Sequence, residues 1–181
     1  MRCFSLFLAI TGLAFPLFNA QGVLMRPLTV KELAEKADLI IQGTVLDQTC
    51  LRDDAGRIYT RVNIQVAEVW KGALPASAAS NRLAVVQGGG TIGDVRAEVS
   101  GDVQYGPGEE FVAFLVFNAR GEPVTIGLAQ GKFHVWRDPP TGKKFAHNPF
   151  HGKPEPAAGH PDDSPPLPVS ELKRQVREVA P

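Results

Sequence analysis

Cysteine is nearly missing from this chain, with two among 181 residues. Cys3 falls in the apolar N-terminal stretch, which leaves Cys50 alone downstream. One thiol cannot close an internal disulfide, so a core rather than covalent staples must hold the fold. An excess of one charge is missing too: 19 basic and 19 acidic residues give a formal net charge of zero. There is no long basic run and no basic–aromatic stripe, which argues against nucleic acid or an anionic membrane as a partner. No G-x-S-x-G, H-E-x-x-H or Ser/Lys pair is present, so the common hydrolase signatures are absent. No cofactor is expected, and oligomeric state is not readable.

What is there suffices for one domain with extensions. Hydrophobic residues make up 44% and charged residues 21%, a globular composition able to build a core. Arg2 and the following "CFSLFLAITGLAF" pair a basic residue with an apolar run too short to span a bilayer comfortably. This predicts a signal peptide over residues 1–20, cleaved after Ala20. Gly12-Leu13-Ala14 is the other small-x-small match, and an uncleaved anchor is the alternative. The expectation is an exported protein, periplasmic or secreted, with no transmembrane span after cleavage.

A short helix is expected in "LTVKELAEKA", where Thr29 and Glu32 have capping-box spacing and Leu28 and Leu33 that of a hydrophobic staple. Strands follow. "DLIIQGTVLDQ" carries a mid-strand Gly43, which predicts a bend. "IYTRVNIQVAEVW" alternates, then slips phase, which predicts a bulge near Val66–Ala67. "RLAVVQ", "DVRAEVS", "FVAFLVF", "PVTIGLAQ" and "KFHVW" complete seven, and "FVAFLVF" is apolar on both faces, as a covered central strand would be. "KKFAHN" predicts a short last turn or strand. The expected fold is all-β: a small closed or partly open OB-like barrel of about seven strands over residues 28–147.

From Asp138 to Pro168 nine of 31 residues are proline, which predicts a linker over residues 148–168. A C-terminal helix over 169–180 follows, with Ser170 as its cap and Leu172, Val176 and Val179 on one face, either docked or free.

Within "GGGTIG", Gly88, Gly90 and Gly93 spell G-x-G-x-x-G. A dinucleotide loop needs a helix next, so that its N-terminus faces the pyrophosphate. "DVRAEVS" has period two instead, and no Lys-Ser or Lys-Thr follows for a P-loop. These glycines are expected at a hairpin or corner that needs positive φ or close backbone approach.

The segments "LAEKADLIIQGTV", "YTRVNIQVAEVWKG", "VVQGGGTIG", "YGPGEEFVAFL" and "IGLAQGKFHV", together spanning about residues 28 to 137, resemble a family of exported bacterial β-barrel domains. That family has no assigned function and is sometimes found near matrixin-like metalloprotease domains. It is distantly similar in fold to netrin-like domains and tissue inhibitors of metalloproteinases, an OB-type barrel. The resemblance implies no transferable catalytic motif. This chain lacks the N-terminal cysteine through which those inhibitors chelate zinc, so their mechanism does not carry over.

Three functions are weighed. The first is a non-catalytic module binding a protein or envelope component. Its candidate ligand residues are Trp70, Gln87 and Gln130, where the "QGGG" and "AQGK" loops are expected to meet at a barrel mouth. A structural role for the same residues is the competing reading: Trp70 plugging a barrel end, Lys71 capping toward solvent, Gly72 turning the chain, Gln130 bonding across a loop. The second is an envelope hydrolase with a dispersed site around His134 or Glu110. The third is a metal-binding accessory protein using His147, His151 and His160, although Asn148-Pro149 argues against the helix that His147-x3-His151 would need. Cys50 is expected as a half-buried structural residue; an intermolecular disulfide stays open, and nothing nearby activates it as a catalytic thiol.

Overall fold

The computed structural model describes residues 26–151 and 166–179. The expected signal peptide, most of the proline-rich linker and His160 lie outside the described residues.

Helix α1 (Val30–Lys36) starts at the expected capping box. Thr29 Oγ1 accepts from the Glu32 amide at 3.2 Å, and the Glu32 carboxylate accepts from the Thr29 amide at 2.8 Å. At the other end, Lys71 Nζ donates to the Ala34 and Glu35 carbonyls at 2.7 and 3.3 Å. Lys71 therefore satisfies helix carbonyls rather than capping toward solvent.

Strands β1 (Leu39–Arg52) and β2 (Ile58–Lys71) form a long antiparallel hairpin. Its turn is held by Asp53 Oδ1, which accepts from the Ala55 and Arg57 amides at 3.0 and 2.8 Å. Ala67 and Trp70 have no partner on β1, and Leu46 has none on β2. The Ala67 bulge falls where the apolar phase of the sequence slips. Gly43 faces it: a Cβ there would stand 2.8 Å from the Gln65 carbonyl oxygen.

Next come β3 (Arg82–Gly88), β4 (Gly90–Ile92), β5 (Val95–Ala97), β6 (Glu110–Phe117), β7 (Pro123–Thr125), β8 (Lys132–Arg137), β9 (Lys144–His147), β10 (Leu167–Pro168) and helix α2 (Val169–Val179). The main ladder runs β10-β9-β8-β6-β1-β2-β3, all antiparallel, with β7 also on β6; β4 and β5 pair only with each other. The fold is thus mostly β, with ten strands and two helices. The ladder stops at β3 and β10, so hydrogen bonding does not close it into the expected barrel.

Two strand expectations need correction. "DVRAEVS" is a strand only in part and does not join the main ladder. Only Val95–Ala97 is extended, in the separate β4–β5 hairpin, and Val95 and Val99 are exposed, so its alternation has no apolar layer to face. "PVTIGLAQ" stops being a strand at Thr125, because Gly127 and Leu128 take left-handed backbone (φ 62° and 58°) and lead into a single 3-10 turn, Leu128–Gly131.

The sheet carries apolar residues on both faces, as "FVAFLVF" predicts. One cluster joins Val112, Phe114, Phe133 and Ile40 to Val30 and Leu33 of α1 and Leu172 and Val176 of α2. The other joins Phe111, Ala113, Leu115, Leu39 and Ile41 to Val62, Ile64, Leu83 and Val85 on the opposite face. The C-terminal helix is therefore docked. It begins at Val169, one residue ahead of Ser170, which lies inside the first turn. The expected linker is folded at both ends: Asn148 is buried, and Leu167 and Pro168 pair with Ala146 and Phe145.

Candidate functional site

The three proposed ligand residues are not gathered around one cavity. Trp70, the extra residue of a bulge, is turned into the helix-facing cluster. Its Nε1 donates to Glu68 Oε2 at 3.1 Å, and Lys173 Nζ of α2 lies 5.9 Å from its ring centre while also pairing with Glu68. Gln130 is buried, and its Oε1 accepts from the Leu28 amide at 2.6 Å, pinning the segment before α1. Gln87 alone of the three lines a cavity of about 670 Å³.

That cavity follows from the register. Cys50, Thr60 and Gln87 stand directly opposite one another across β1, β2 and β3. They occupy the same face as Val62 and Val85, two pairs further along, so the apolar interior gives way to a polar row at this end of the sheet. The glycine-rich stretch forms the rim. Gly90 has φ +135°, and a Cβ on it would lie 2.6 Å from Thr60 Oγ1 and 2.7 Å from Cys50 Sγ. Gly88, Gly89 and Gly90 serve close approach and Gly93 a turn of positive φ, and a nucleotide loop is not what they build. Thr60 Oγ1 donates to the Gly89 carbonyl at 2.8 Å and stands 3.4 Å from Cys50 Sγ. Gln48 Nε2 donates to the Tyr105 carbonyl. Two buried acceptors in the lining have no hydrogen bond, Gln87 Oε1 and Asp102 Oδ2. Asp102 Oδ1 accepts from the Val103 amide at 2.8 Å. Burial pushes the Asp102 carboxyl above its ordinary value, against the neighbouring Val103 and Gly88 amides.

A cleft of about 680 Å³ lies on the other side of β3. Its carboxylates are already engaged, Asp53 by Arg57 and Arg120, and Glu122 by Asn118.

Both residues weighed for hydrolysis have partners, His134 in Glu109 and Glu110 in Gln42 and Lys144. Glu109 accepts from the Gly106 amide at 2.8 Å, from Lys132 Nζ at 2.6 Å on both oxygens, and shares a hydrogen bond with His134 Nδ1 at 2.9 Å. Burial raises the Glu109 carboxyl, but these donors outweigh it and hold it below the usual range. Burial lowers Lys132, more than Glu109 restores. Burial likewise pushes up the Tyr105 phenol, which shares a 2.7 Å hydrogen bond with the Thr125 hydroxyl. Glu110 takes Gln42 Nε2 at 2.7 Å and Lys144 Nζ at 2.6 Å. The cavities at Gln87, Pro75 and Lys173 take in neither His134 nor Glu110.

On β8 and β9 an aromatic row lies open. His134 stacks on Trp136 (6.0 Å between ring centres, 16° between planes), and Trp136 on Phe145 (6.1 Å, 28°). His134 and Trp136 are exposed, and Phe145 is half-buried. His147 faces His134 across the ladder.

Of the histidines weighed for metal, His147 and His151 are described and His160 lies outside the described residues. His147 ends β9, and His151 lies in the following turn, edge-on to Phe133 at 5.4 Å. Burial, and then the charge of His147, hold His151 below its ordinary value. Among the described residues no group of three or more His, Cys, Asp or Glu is placed to hold a metal ion.

Sequence reasoning missed Asp102, Thr60 and Asn148. Asp102 sits in "SGD", which reads as turn chemistry. Asn148 reads as linker, yet its buried amide donates to the Ala129, Gln130 and Lys132 carbonyls at 3.1, 2.7 and 2.6 Å. No local signal separates either from an ordinary loop residue.

No protein-family model matches the chain, and a search of curated proteins finds no match either. The resemblance to exported bacterial β-barrel domains gains no support from them and rests on its quoted residues alone.

Proposed function

We propose that the protein is an exported, non-catalytic β-module that binds an envelope component through the aromatic row of β8 and β9. The observation that carries this is the stacking of His134, Trp136 and Phe145 on an open sheet surface. Exposed rings in a row offer a flat, weakly polar face, and a sugar ring presents matching C–H bonds. Export rests on the basic residue and apolar run at the N-terminus. The OB-like barrel belongs to the same reading in its partly open form. The close approach of β3 and β7, which share no ladder, supports it. The commitment of Glu110 to Gln42 and Lys144 favours binding over hydrolysis.

The test is affinity electrophoresis of chain 21–181 through gels containing soluble envelope polysaccharides, with Trp136→Ala alongside. Retardation lost in the variant supports the reading. Migration unaffected by every glycan, together with a protein captured from envelope extract only by the unaltered chain, would move the partner to a protein. Capture that is equal with Trp136→Ala rules out the row.

A further inference from the structure

We propose that the polar cavity at Gln87 and Asp102 is a binding site for an organic cation bearing N–H donors, an alkylammonium or guanidinium group. This does not rest on the aromatic row, which occupies other strands.

The inner wall is short of donors, since Thr91, Ser100 and Gln104 lie exposed at the rim. Thr60 spends its hydroxyl proton on Gly89, and Gln48 its amide on Tyr105. Gln87 Oε1 and Asp102 Oδ2 are left as buried acceptors without a hydrogen bond, and the Gly88 amide beside Asp102 only partly offsets the burial of its carboxyl. A buried acceptor without a donor is costly, and a buried carboxylate more so, unless something entering the cavity supplies the proton. Asp102 has no ion-pair partner among the described residues. The one cation in the lining, Arg96, is exposed and pairs with Glu98 at 2.5 Å. The cavity thus holds a half-buried carboxyl without an ion-pair partner beside a neutral amide acceptor.

This pattern selects the ligand. Calcium takes six to eight oxygen ligands, usually several of them carboxylates, and zinc wants nitrogen or sulfur donors. One inward carboxylate, one amide oxygen and the single thiol of Cys50 make neither set, and Glu98 is exposed and paired with Arg96. The carboxylate and the amide oxygen suit a monovalent nitrogen cation, whose several N–H groups satisfy both acceptors and whose charge offsets Asp102. The volume of about 670 Å³ lies in the range of small-molecule sites and far above the needs of a single water. Two sources present such a group: a free amine, or a Lys or Arg side chain of a partner protein.

The experiment is a titration of 15N-labelled chain 21–181 followed by amide shifts. The probes are agmatine, acetyl-Gly-Lys-Gly-amide, acetyl-Gly-Arg-Gly-amide and, as a neutral control, butylurea. The expected result is saturable movement of the Gln87 side-chain amide and of the Gly88–Thr91 amides with a cationic probe, and none with butylurea. Asp102→Asn, nearly isosteric, should weaken binding by about tenfold or more, the effect of losing one charge-assisted contact. Gln87→Leu should weaken it as well, while Trp136→Ala should leave it unchanged. Tighter binding of the peptides points to a partner's side chain; tighter binding of agmatine points to a free amine. Absence of saturation with all three cations up to about 10 mM, weaker than the millimolar affinity of a minimal contact, overturns the proposal and leaves the cavity to water. Equal binding by Asp102→Asn or by butylurea also overturns it.

Discussion

Lys132 places its ammonium 2.6 Å from both oxygens of Glu109, and the pair is largely closed to solvent, with side chains 9% and 15% exposed. Lys132 also lies 4.9 Å from the ring centre of Tyr105. Removing one member of such a pair strands the other. Lys132→Met should cost about 3 kcal/mol in urea unfolding at pH 7. The sign with pH follows from Glu109. Its folded value is depressed, so its contribution is present above the unfolded carboxylate range and is lost as pH falls through the folded value. In Lys132→Met the Glu109 carboxyl protonates at higher pH. The deficit of the variant should therefore shrink on acidification; a deficit constant down to pH 4 would contradict the pairing.

The glycine-rich stretch offers an internal control. Gly93 has φ +59° with nothing near a new Cβ, whereas Gly90 has φ +135° and would drive its Cβ into Thr60 and Cys50. Gly93→Ala should cost about 1–2 kcal/mol, the backbone term alone. Gly90→Ala should cost clearly more and should move the Thr60 and Cys50 resonances. Equal melting temperatures for the two variants would mean that close approach is not what the stretch serves.

Asn148 holds three carbonyls together from one buried amide. Asn148→Ala leaves them without that donor and should cost about 2–3 kcal/mol by thermal unfolding. Asn148→Asp should be worse at neutral pH, since an anion then faces three carbonyl oxygens. Hydrogen exchange at Gln130, whose amide bonds to Gly127, should speed up in both.

The two tryptophans should separate in fluorescence. Trp70 is packed beneath α2, and Trp136 is open. Acrylamide should quench Trp136→Phe, which retains Trp70, less than Trp70→Phe, which retains Trp136. Trp70→Ala should cost about 3 kcal/mol or more, and Trp136→Ala well under about 1 kcal/mol.

What was readable in the sequence was local or periodic. The Thr29–Glu32 box needs only its own four residues. The Ala67 bulge shows as a phase slip, and the double-faced β6 as an unbroken apolar run. What was not readable depends on distant strands. Alternation in "DVRAEVS" promises a full-length strand only if an apolar layer covers one face; only Val95–Ala97 pairs, and with β4 alone. Trp70 was placed by the ladder slip beside it, which turns the indole toward α2 rather than toward a barrel end. The orphaned state of Asp102 and Gln87 exists only once β3 and the 99–106 segment stand side by side, and no residue type announces it.

Val30 and Leu33 of α1 share one apolar cluster with Leu172 and Val176 of α2. The first and last described elements are therefore neighbours in space, while residues 151 and 166 bound the stretch between β9 and β10. The order in which the chain visits its elements is then separable from the contacts they make. A circular permutant, closed from Val179 to Arg26 by a short flexible tether and opened between 152 and 165, would keep every helix and strand against its present neighbour. Two fragments divided at the same place could reassemble when mixed, with the sheet edge at β9 and the groove beside α1 serving as the template.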